Sequence, residues 1–420
     1  MNKPTIDLRH VRDVVAVAEA SLGPVEKAGI LPGEAYTSPG FWEFEKQAIF
    51  AKEWLCIAHV NEIPNPGDYI QLTVMEEPVI VARDEAGEVH ALSAVCQHRG
   101  HPIVGGVKDA PPGKCLNARR LVCPYHTWAY GMDGTLQGAP SMEETVPLEE
   151  LRKNNSLPRI RMEIFHGLVF ISFDADVPPV AQKLGKLDDE FRGYGLAELV
   201  PGSTFVQQGL EWNWKLHHEN ALEPYHTSYV HSGYHNAVPS NLTRFYPIDP
   251  QEGQVFRTTG FAGDDGDLFE IANVRRLPSI PGLSEEQRGR VFFVSILPCV
   301  VAVLEPTMVT ITFLSPTGAD RLDSRRVNLY PRAAAEVSEF PQICGEHLEK
   351  VKVIVGQDAV TQMALQRAYQ SQFKPRGRFS HLETAISQLN DWMVCRYRDG
   401  LARLEQAQAR PLPREAGSHA

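Results

Sequence analysis

A chain of 420 residues, 43% hydrophobic and 22% charged, has globular composition and room for two or three domains with sizeable cores. Its formal net charge of −11 argues against a nucleic-acid binder, which needs a basic surface. Lys3, Arg9, Arg12 and Glu19 interrupt any apolar leader, and no run reaches the ~20 apolar residues of a membrane helix, so a cytoplasmic chain without membrane association is expected.

Residues 1–54 read as mostly helical, with Val11–Leu22 and Gly40–Trp54 carrying apolar residues at helical spacing. This segment is expected to pack on the later, larger domain. From Cys56 the texture changes to short β-rich runs, Tyr69–Val74, Pro78–Ala82, Val89–Val95 and later Gly167–Phe173, divided by turn signals such as Pro66-Gly67 and Asp84–Gly87. They predict a strand-rich domain over 55–175. Pro178-Pro179 and the polar run Lys183–Glu190 mark its boundary with a third segment, 176–420. There, strands are expected at Val291–Leu297, Val300–Glu305, Val309–Leu314 and Arg325–Tyr330, and long helices at about Pro341–Gln372 and His381–Glu405. The apolar tract Val291–Leu304 is broken by Ser295 and Pro298 and reads as buried strands. The polar tail after Gln406 is expected to fray. The class is α+β.

Seven cysteines in a chain with no visible leader point to a reducing compartment, where they serve as metal ligands, catalytic groups or core residues. Only Cys96 and Cys123 have histidines at ligand spacing. Cys96-Gln97-His98 is followed, after 24 intervening residues, by Cys123-Pro124-Tyr125-His126. Two such loops facing each other can hold a 2Fe–2S cluster, two thiolates on one iron and two imidazoles on the other. From spacing alone, a Cys₂His₂ zinc site and coincidental core residues remain rivals, although His98 follows Cys96 too closely for the usual zinc arrangement. Cys115 and His101 lie nearby as weaker ligand candidates.

The second constellation is NWKLHHENALEPYHTSYVH, residues 213–231. On one continuous helix His226 and His231 would point about 140° apart, so both reach one metal only if the helix ends or unwinds between them. Thr227, Ser228, Tyr229 and Val230 are poor helix formers, which favours a break there. Asn220, Glu223 and His226 recur every three residues and would share one helical face, with Pro224 starting or kinking the helix. A carboxylate one turn before a metal-binding histidine can fix its ring through the second nitrogen. Two histidines need a carboxylate to complete a facial triad for a mononuclear iron, and Glu346, Glu349 and Asp358 all lie on the late helical stretch. His217, His218 and His235 are further histidines nearby.

The stretches CQHRGHPIVGG and LVCPYHTWAYGMDGTLQGAP resemble the Rieske domain of ring-hydroxylating and related oxygenases, through His98-Arg99-Gly100, Trp128 and Asp133-Gly134 as well as the ligand loops. Two features depart from it. Lys108–Arg120 looks several residues longer than usual and reads as a surface loop, and Thr127 stands where a glycine is common. Residues 213–231 are similar to the iron-binding helix of the same family, including Trp214, Lys215, Glu219-Asn220 and Tyr225-His226…His231.

The resemblance implies a Rieske β domain with Cys96, His98, Cys123 and His126 holding the cluster. It also implies a catalytic domain with an antiparallel sheet and flanking helices, in which His226, His231 and Asp358 hold Fe(II). Asn220 and Glu223 are then catalytic-site residues. In the family an acidic residue at the Glu223 position also bonds the Rieske histidine of the neighbouring subunit, matching His126. Many ring-hydroxylating dioxygenases have Asp there, and Glu is met among carnitine- and glycine-betaine-type monooxygenases. The implied activity is O₂-dependent hydroxylation, of an aromatic acid or ring in the first reading and of a quaternary amine in the second. A Rieske electron-transfer protein is the non-enzyme alternative, and the expected triad argues against it. Gly260, Gly263 and Gly266 lack the strand-to-helix context of a dinucleotide fingerprint. Electrons are therefore expected from a separate NAD(P)H-dependent flavin reductase, with or without a ferredoxin. The expected assembly is a homotrimer, with or without small β subunits.

Overall fold

The computed structural model describes residues 5–103, 114, 115, 118–231, 233–263 and 274–409. Most of the Lys108–Arg120 segment, and Gly266, lie outside the described residues. Helix α1 (Leu8–Ala20) begins where Asp7 accepts from the backbone N–H groups of Arg9 and His10, and it buries Val11, Val14, Val15 and Ala18. The second predicted helix is shorter than its periodicity suggests. It is α-helical over Pro39–Glu45, widens to one π turn over Lys46–Phe50 and stops before Trp54.

The β-rich region begins with β1 (Leu55–His59), β2 (Tyr69–Val74), β3 (Glu77–Arg83), β4 (Val89–Ser93) and β5 (Lys114–Cys115). It continues with β6 (Leu121–Val122), β7 (Ala129–Tyr130), β8 (Leu136–Gly138), β9 (Arg161–Phe165) and β10 (Leu168–Ser172). They form three small sheets, in the orders β4-β3-β2-β5, β6-β7-β8 and β1-β10-β9. The first two enclose their own core, which includes Ile80, Leu92, Cys96, Cys123, Trp128 and Tyr130. In the third, Cys56, Leu168 and Phe170 join the core of the large sheet instead.

That large sheet is antiparallel and seven-stranded: β11 (Val200–Leu210), β12 (Thr243–Phe245), β13 (Gln254–Gly260), β14 (Arg290–Ile296), β15 (Val300–Leu304), β16 (Val309–Gly318) and β17 (Arg321–Tyr330). The spatial order is β11-β17-β16-β15-β14-β13-β12. Alternation along each strand divides its two faces. Phe256, Val294, Ala302, Ile311 and Val327 point into one apolar core. Arg257, Phe293, Val301, Val303, Thr310, Thr312 and Arg326 line a cavity on the other face.

The helices that bear on the second site and its supports are α2 (Trp214–Leu222), α3 (Thr227–Val230), α4 (Phe340–Tyr369) and α5 (Thr384–Ala409). Helix α2 is pinned by a fully buried ion pair, Lys215 Nζ to Glu45 Oε1 at 2.8 Å, and Tyr397 donates to the same oxygen at 2.6 Å. Removing Lys215 would strand the Glu45 charge in the core. Lys215→Ala is expected to cost about 3–5 kcal/mol, read as a lower denaturation midpoint. Among the described residues no helix is long and apolar enough to cross a membrane.

Candidate metal centres and active-site cavity

The two Cys/His loops have one backbone form. Cys96 N donates to His101 O at 3.0 Å and Gly100 N to Cys96 O at 2.9 Å; Cys123 N donates to Trp128 O at 2.8 Å and Thr127 N to Cys123 O at 3.0 Å. Gly100 and Thr127 therefore occupy equivalent positions, and both have positive φ, 76° and 55°. This is why a glycine suits the Thr127 position: a β-branched residue is strained in that region. The repeated geometry brings both cysteines to the buried end, each 2% exposed, and His98 and His126 together at the partly exposed end, ring centroids 4.7 Å apart. His98 is held flat against Trp128, centroids 4.7 Å apart and planes 5° apart. Tyr130 Oη lies 3.2 Å from Cys96 Sγ and accepts from Gln97 N at 3.1 Å. Burial pushes the Cys123 thiol up, which an electropositive metal at the pair would reverse. Two clustered thiols and two clustered imidazoles are a donor set that fits a 2Fe–2S group. His101 is engaged elsewhere, its Nδ1 2.6 Å from Pro102 O. The Cys115 side chain lies outside the described residues.

The second site is built where a helix is interrupted. Helix α2 ends at Leu222, and Glu223 is extended, with φ −103° and ψ 134°. The expectation of one continuous helical face through Asn220, Glu223 and His226 is thus corrected: only Asn220 is on α2. Pro224 neither starts nor kinks a helix. Its ring forces the preceding residue out of the helical region, and its carbonyl accepts from the Thr227 hydroxyl at 2.8 Å. The expected break between the histidines is also displaced, because Thr227–Val230 is itself a helical turn and the breaks flank it. His226 is its N-cap and His231 its C-cap, with φ −107° and ψ 83°.

This arrangement faces both imidazoles at one point. His226 Nε2 and His231 Nε2 are 3.2 Å apart, and Asp358 Oδ1 on α4 lies 3.6 Å and 3.0 Å from them. The three ligand atoms all fall within 4.8 Å of one another. Each ring is fixed through its other nitrogen. Glu223 Oε1 bonds His226 Nδ1, while Glu223 Oε2 accepts from His226 N at 3.0 Å; Gln357 Oε1 bonds His231 Nδ1 at 2.9 Å. Asn220 Nδ2 donates to Asp358 Oδ1 at 3.3 Å and its Oδ1 accepts from Gln362 Nε2 at 3.1 Å. Burial pulls His231 down, but the bond and charge of Asp358, together with the Gln357 bond and the charge of Glu223, outweigh it and the net shift is upward. The set of two imidazoles and one carboxylate, open toward a cavity, fits a mononuclear iron.

Residues 53–156 match the Rieske [2Fe-2S] domain family, and residues 192–399 match the ring hydroxylating alpha subunit (catalytic domain) family. The chain belongs to the Rieske ring-hydroxylating oxygenase alpha-subunit family. It is 33% identical over 213 residues to a carnitine monooxygenase oxygenase subunit of Acinetobacter pittii, covering 50% of this chain and 55% of that protein. It is 37% identical over 204 residues to the large oxygenase component of a 2,4-dinitrotoluene dioxygenase system of Burkholderia sp., covering 47% and 43%. The chain thus spans about half the length of these relatives. Its fold is that of a solved quaternary ammonium Rieske monooxygenase (TM-score 0.73, 21% identity, 94% of this chain and 100% of the other). It is also that of naphthalene 1,2-dioxygenase from Rhodococcus sp. (TM-score 0.72, 18% identity, 94% and 98%).

Within this Rieske oxygenase alpha-subunit fold, the other sequence candidates fall elsewhere. Glu346 pairs with Arg275 at 2.7 Å and Glu349 with Lys352 at 2.6 Å, both at the surface. His218 is buried between Ser295 Oγ and Pro298 O, at 2.8 and 2.9 Å. His235 is outside the three-residue cluster, and His217 lines the cavity without joining it. The cavity measures about 170 Å³. Sequence reasoning missed Gln362, which sits one helical turn after Asp358, and the ring-fixing role of Gln357. It also missed the cavity-facing Trp212, Arg257 and Arg326. The i, i+4 spacing of Asp358 and Gln362 was the available signal.

Proposed function

We propose that this chain is the oxygenase component of a multicomponent system that hydroxylates a small organic substrate with O₂. On this reading Cys96, His98, Cys123 and His126 hold the cluster, and His226, His231 and Asp358 hold the mononuclear iron. A separate NAD(P)H-dependent flavin reductase, with or without a ferredoxin, supplies the electrons. The observation that carries the proposal is the convergence of two imidazoles and one carboxylate on a cavity, in a chain that also presents the paired Cys/His loops. When bound, the cluster supplies one-electron transfer and the iron supplies dioxygen activation.

The chain's own residues do the positioning. Glu223 and Gln357 hold His226 and His231 with Nε2 toward the cavity, and Asn220 steadies Asp358 from the side. Phe293, Val301, Val303, Ile354 and Val355 make much of the wall apolar, which seats a hydrocarbon skeleton and keeps bulk water from the reacting position. An aromatic acid or ring is the first substrate reading. A quaternary amine is the second, favoured by Glu223 and by the similarity to a carnitine monooxygenase subunit. The proposed assembly is a homotrimer, with or without small β subunits.

Purified protein is expected to be brown-red, to carry about three irons per chain and to give a Rieske-type paramagnetic resonance spectrum when reduced. About two irons would point to an electron carrier instead. A colourless protein holding only zinc after anaerobic iron reconstitution would end this reading.

A further inference from the structure

The large sheet turns two arginines toward the cavity, and they are in different chemical states. Arg257 on β13 is fully engaged. Its Nε donates to Leu222 O at 2.6 Å, Nη1 to Thr259 Oγ1 at 2.7 Å and Nη2 to Ala221 O at 3.5 Å, and its guanidinium lies 3.7 Å from the centroid of Phe293. It holds the last carbonyls of α2, a cation at a helix C-terminus, where it fixes the chain just before Glu223.

Arg326 on β17 is four strand steps away, roughly 19 Å at ~4.8 Å per step. Its Nε donates to Thr312 Oγ1 at 3.0 Å, but among the described residues its buried Nη1 has no partner and no carboxylate forms an ion pair with it. The acidic group acting on it is Asp358, which already faces His226 and His231. The cavity's other carboxylates, Glu223 and Glu305, act on Arg257 and Tyr234 respectively. Burial lowers the Arg326 guanidinium only to about 10, so it stays charged at neutral pH.

Two further buried nitrogens that have no partner among the described residues line the same cavity, Trp212 Nε1 and His217 Nδ1. Their rings are stacked, centroids 6.3 Å apart and planes 8° apart. Burial, with the nearby charge of Arg326, pulls His217 down to about 3, so its imidazole is neutral. A guanidinium and an indole N–H can only donate, and a neutral imidazole donates from one nitrogen. A neutral hydrocarbon would leave these groups unpaired, which is unfavourable for each of them. A bare quaternary ammonium would be repelled by Arg326. A carboxylate offers up to four lone-pair sites on two oxygens and neutralises the charge.

We infer that the substrate of this cavity carries a carboxylate, seated on Arg326 with Trp212 and His217 beside it. The inference rests on reading the cavity as the substrate site of the proposed oxygenase. It selects aromatic or aliphatic acids and zwitterions carrying their own carboxylate, over neutral rings. The apolar part of such a molecule lies against Val301, Val303 and Ile354.

Calorimetric titration of the purified holoprotein tests this with paired probes: benzoate against benzamide, phenylacetate against phenylacetamide, and γ-butyrobetaine against choline. At least one acid or zwitterion is expected to bind about tenfold or more tightly than its counterpart, the effect of a charge-assisted contact. Arg326→Gln is expected to erase that preference with iron content unchanged, and Arg326→Lys to keep part of it. No preference in any pair, or a preference that survives Arg326→Gln, overturns the proposal. If the glutamine variant loses iron or fold, Arg326→Lys decides, because complete loss of preference there also counts against it. Product analysis with reductase and O₂ is run separately. Acid-selective binding without any hydroxylated product would sink the oxygenase reading and leave the carboxylate seat standing.

Discussion

Asp358→Ala is expected to abolish turnover and remove about one iron per chain, while the reduced cluster keeps its paramagnetic resonance spectrum. The carboxylate is the third member of the cluster formed with His226 and His231, and no other acidic group among the described residues joins it. Two imidazoles alone leave a weak site, so the loss of activity should exceed about a hundredfold. The fold should tolerate the change. Asp358 lies inside α4, where alanine is the better helix former, and its side chain is 17% exposed. The Cys/His loops belong to a different core, so nothing in them depends on Asp358. Asn220→Ala is the milder companion, removing the amide that donates to Asp358 Oδ1 but no ligand. Retention of mononuclear iron and rate in Asp358→Ala would sink this assignment.

The two sites differ in how far the sequence could disclose them, and the difference is one of range. Cys96, His98, Cys123 and His126 lie in two short loops of one backbone form, close in sequence, so local spacing carried the pairing of thiols with imidazoles. Even the departure at Thr127 pointed to a real backbone constraint, its φ of 55°. His231 and Asp358 are brought together by the packing of α4 over the large sheet, and no spacing rule connects them. Only the resemblance supplied that ligand. The misreading of Glu223 as helical was avoidable, since a residue before proline is driven to extended conformations and Glu223 obeys. The helical turn at Thr227–Val230 was not avoidable from propensity. Single turns of poor helix formers exist only by tertiary context, here the flanking bonds of Pro224 and His226. Strands β11 and β13 were missed for a related reason. VPGSTFVQQGL and QVFRTTG contain Pro, Gly and charged or polar residues, because one runs along the sheet edge and the other turns Arg257 into the cavity. The seat around Arg326 needed the register of β16 and β17, in which Arg326 stands opposite Thr312.

Glu223→Gln is expected to keep both metal centres and most of the fold, yet to cut coupled turnover by about ten- to a hundredfold. The change is nearly isosteric, and an amide oxygen can still accept from His226 Nδ1. What is lost is a charged acceptor whose two oxygens bond the ring and the backbone N–H of His226. Under the proposed assembly this carboxylate also meets His126 of a neighbouring subunit, and the surfaces suit such a contact. Val122, at the end of β6, and Tyr125, in the second Cys/His loop, are 45% and 52% exposed, and Tyr225 and Tyr229 are 49% and 86% exposed beside His226. A head-to-tail contact of these two unlike surfaces closes into a ring under rotation, which is how a trimer would form. Glu223→Gln alone cannot separate a bridge between subunits from a role confined to His226, so complementation is the sharper measurement. Cys96→Ala removes the cluster from one chain and His226→Ala removes the mononuclear iron from another, and each homogeneous assembly should be inactive. Co-expressed with separate affinity tags and purified through both, mixed assemblies should regain partial activity, because an intact cluster on one chain then faces an intact iron site on the next. That activity should fall again, by about the same ten- to a hundredfold, when Glu223→Gln is placed on the chain with the intact iron site. Mixed assemblies verified to contain both subunits and showing no turnover would refute transfer between chains.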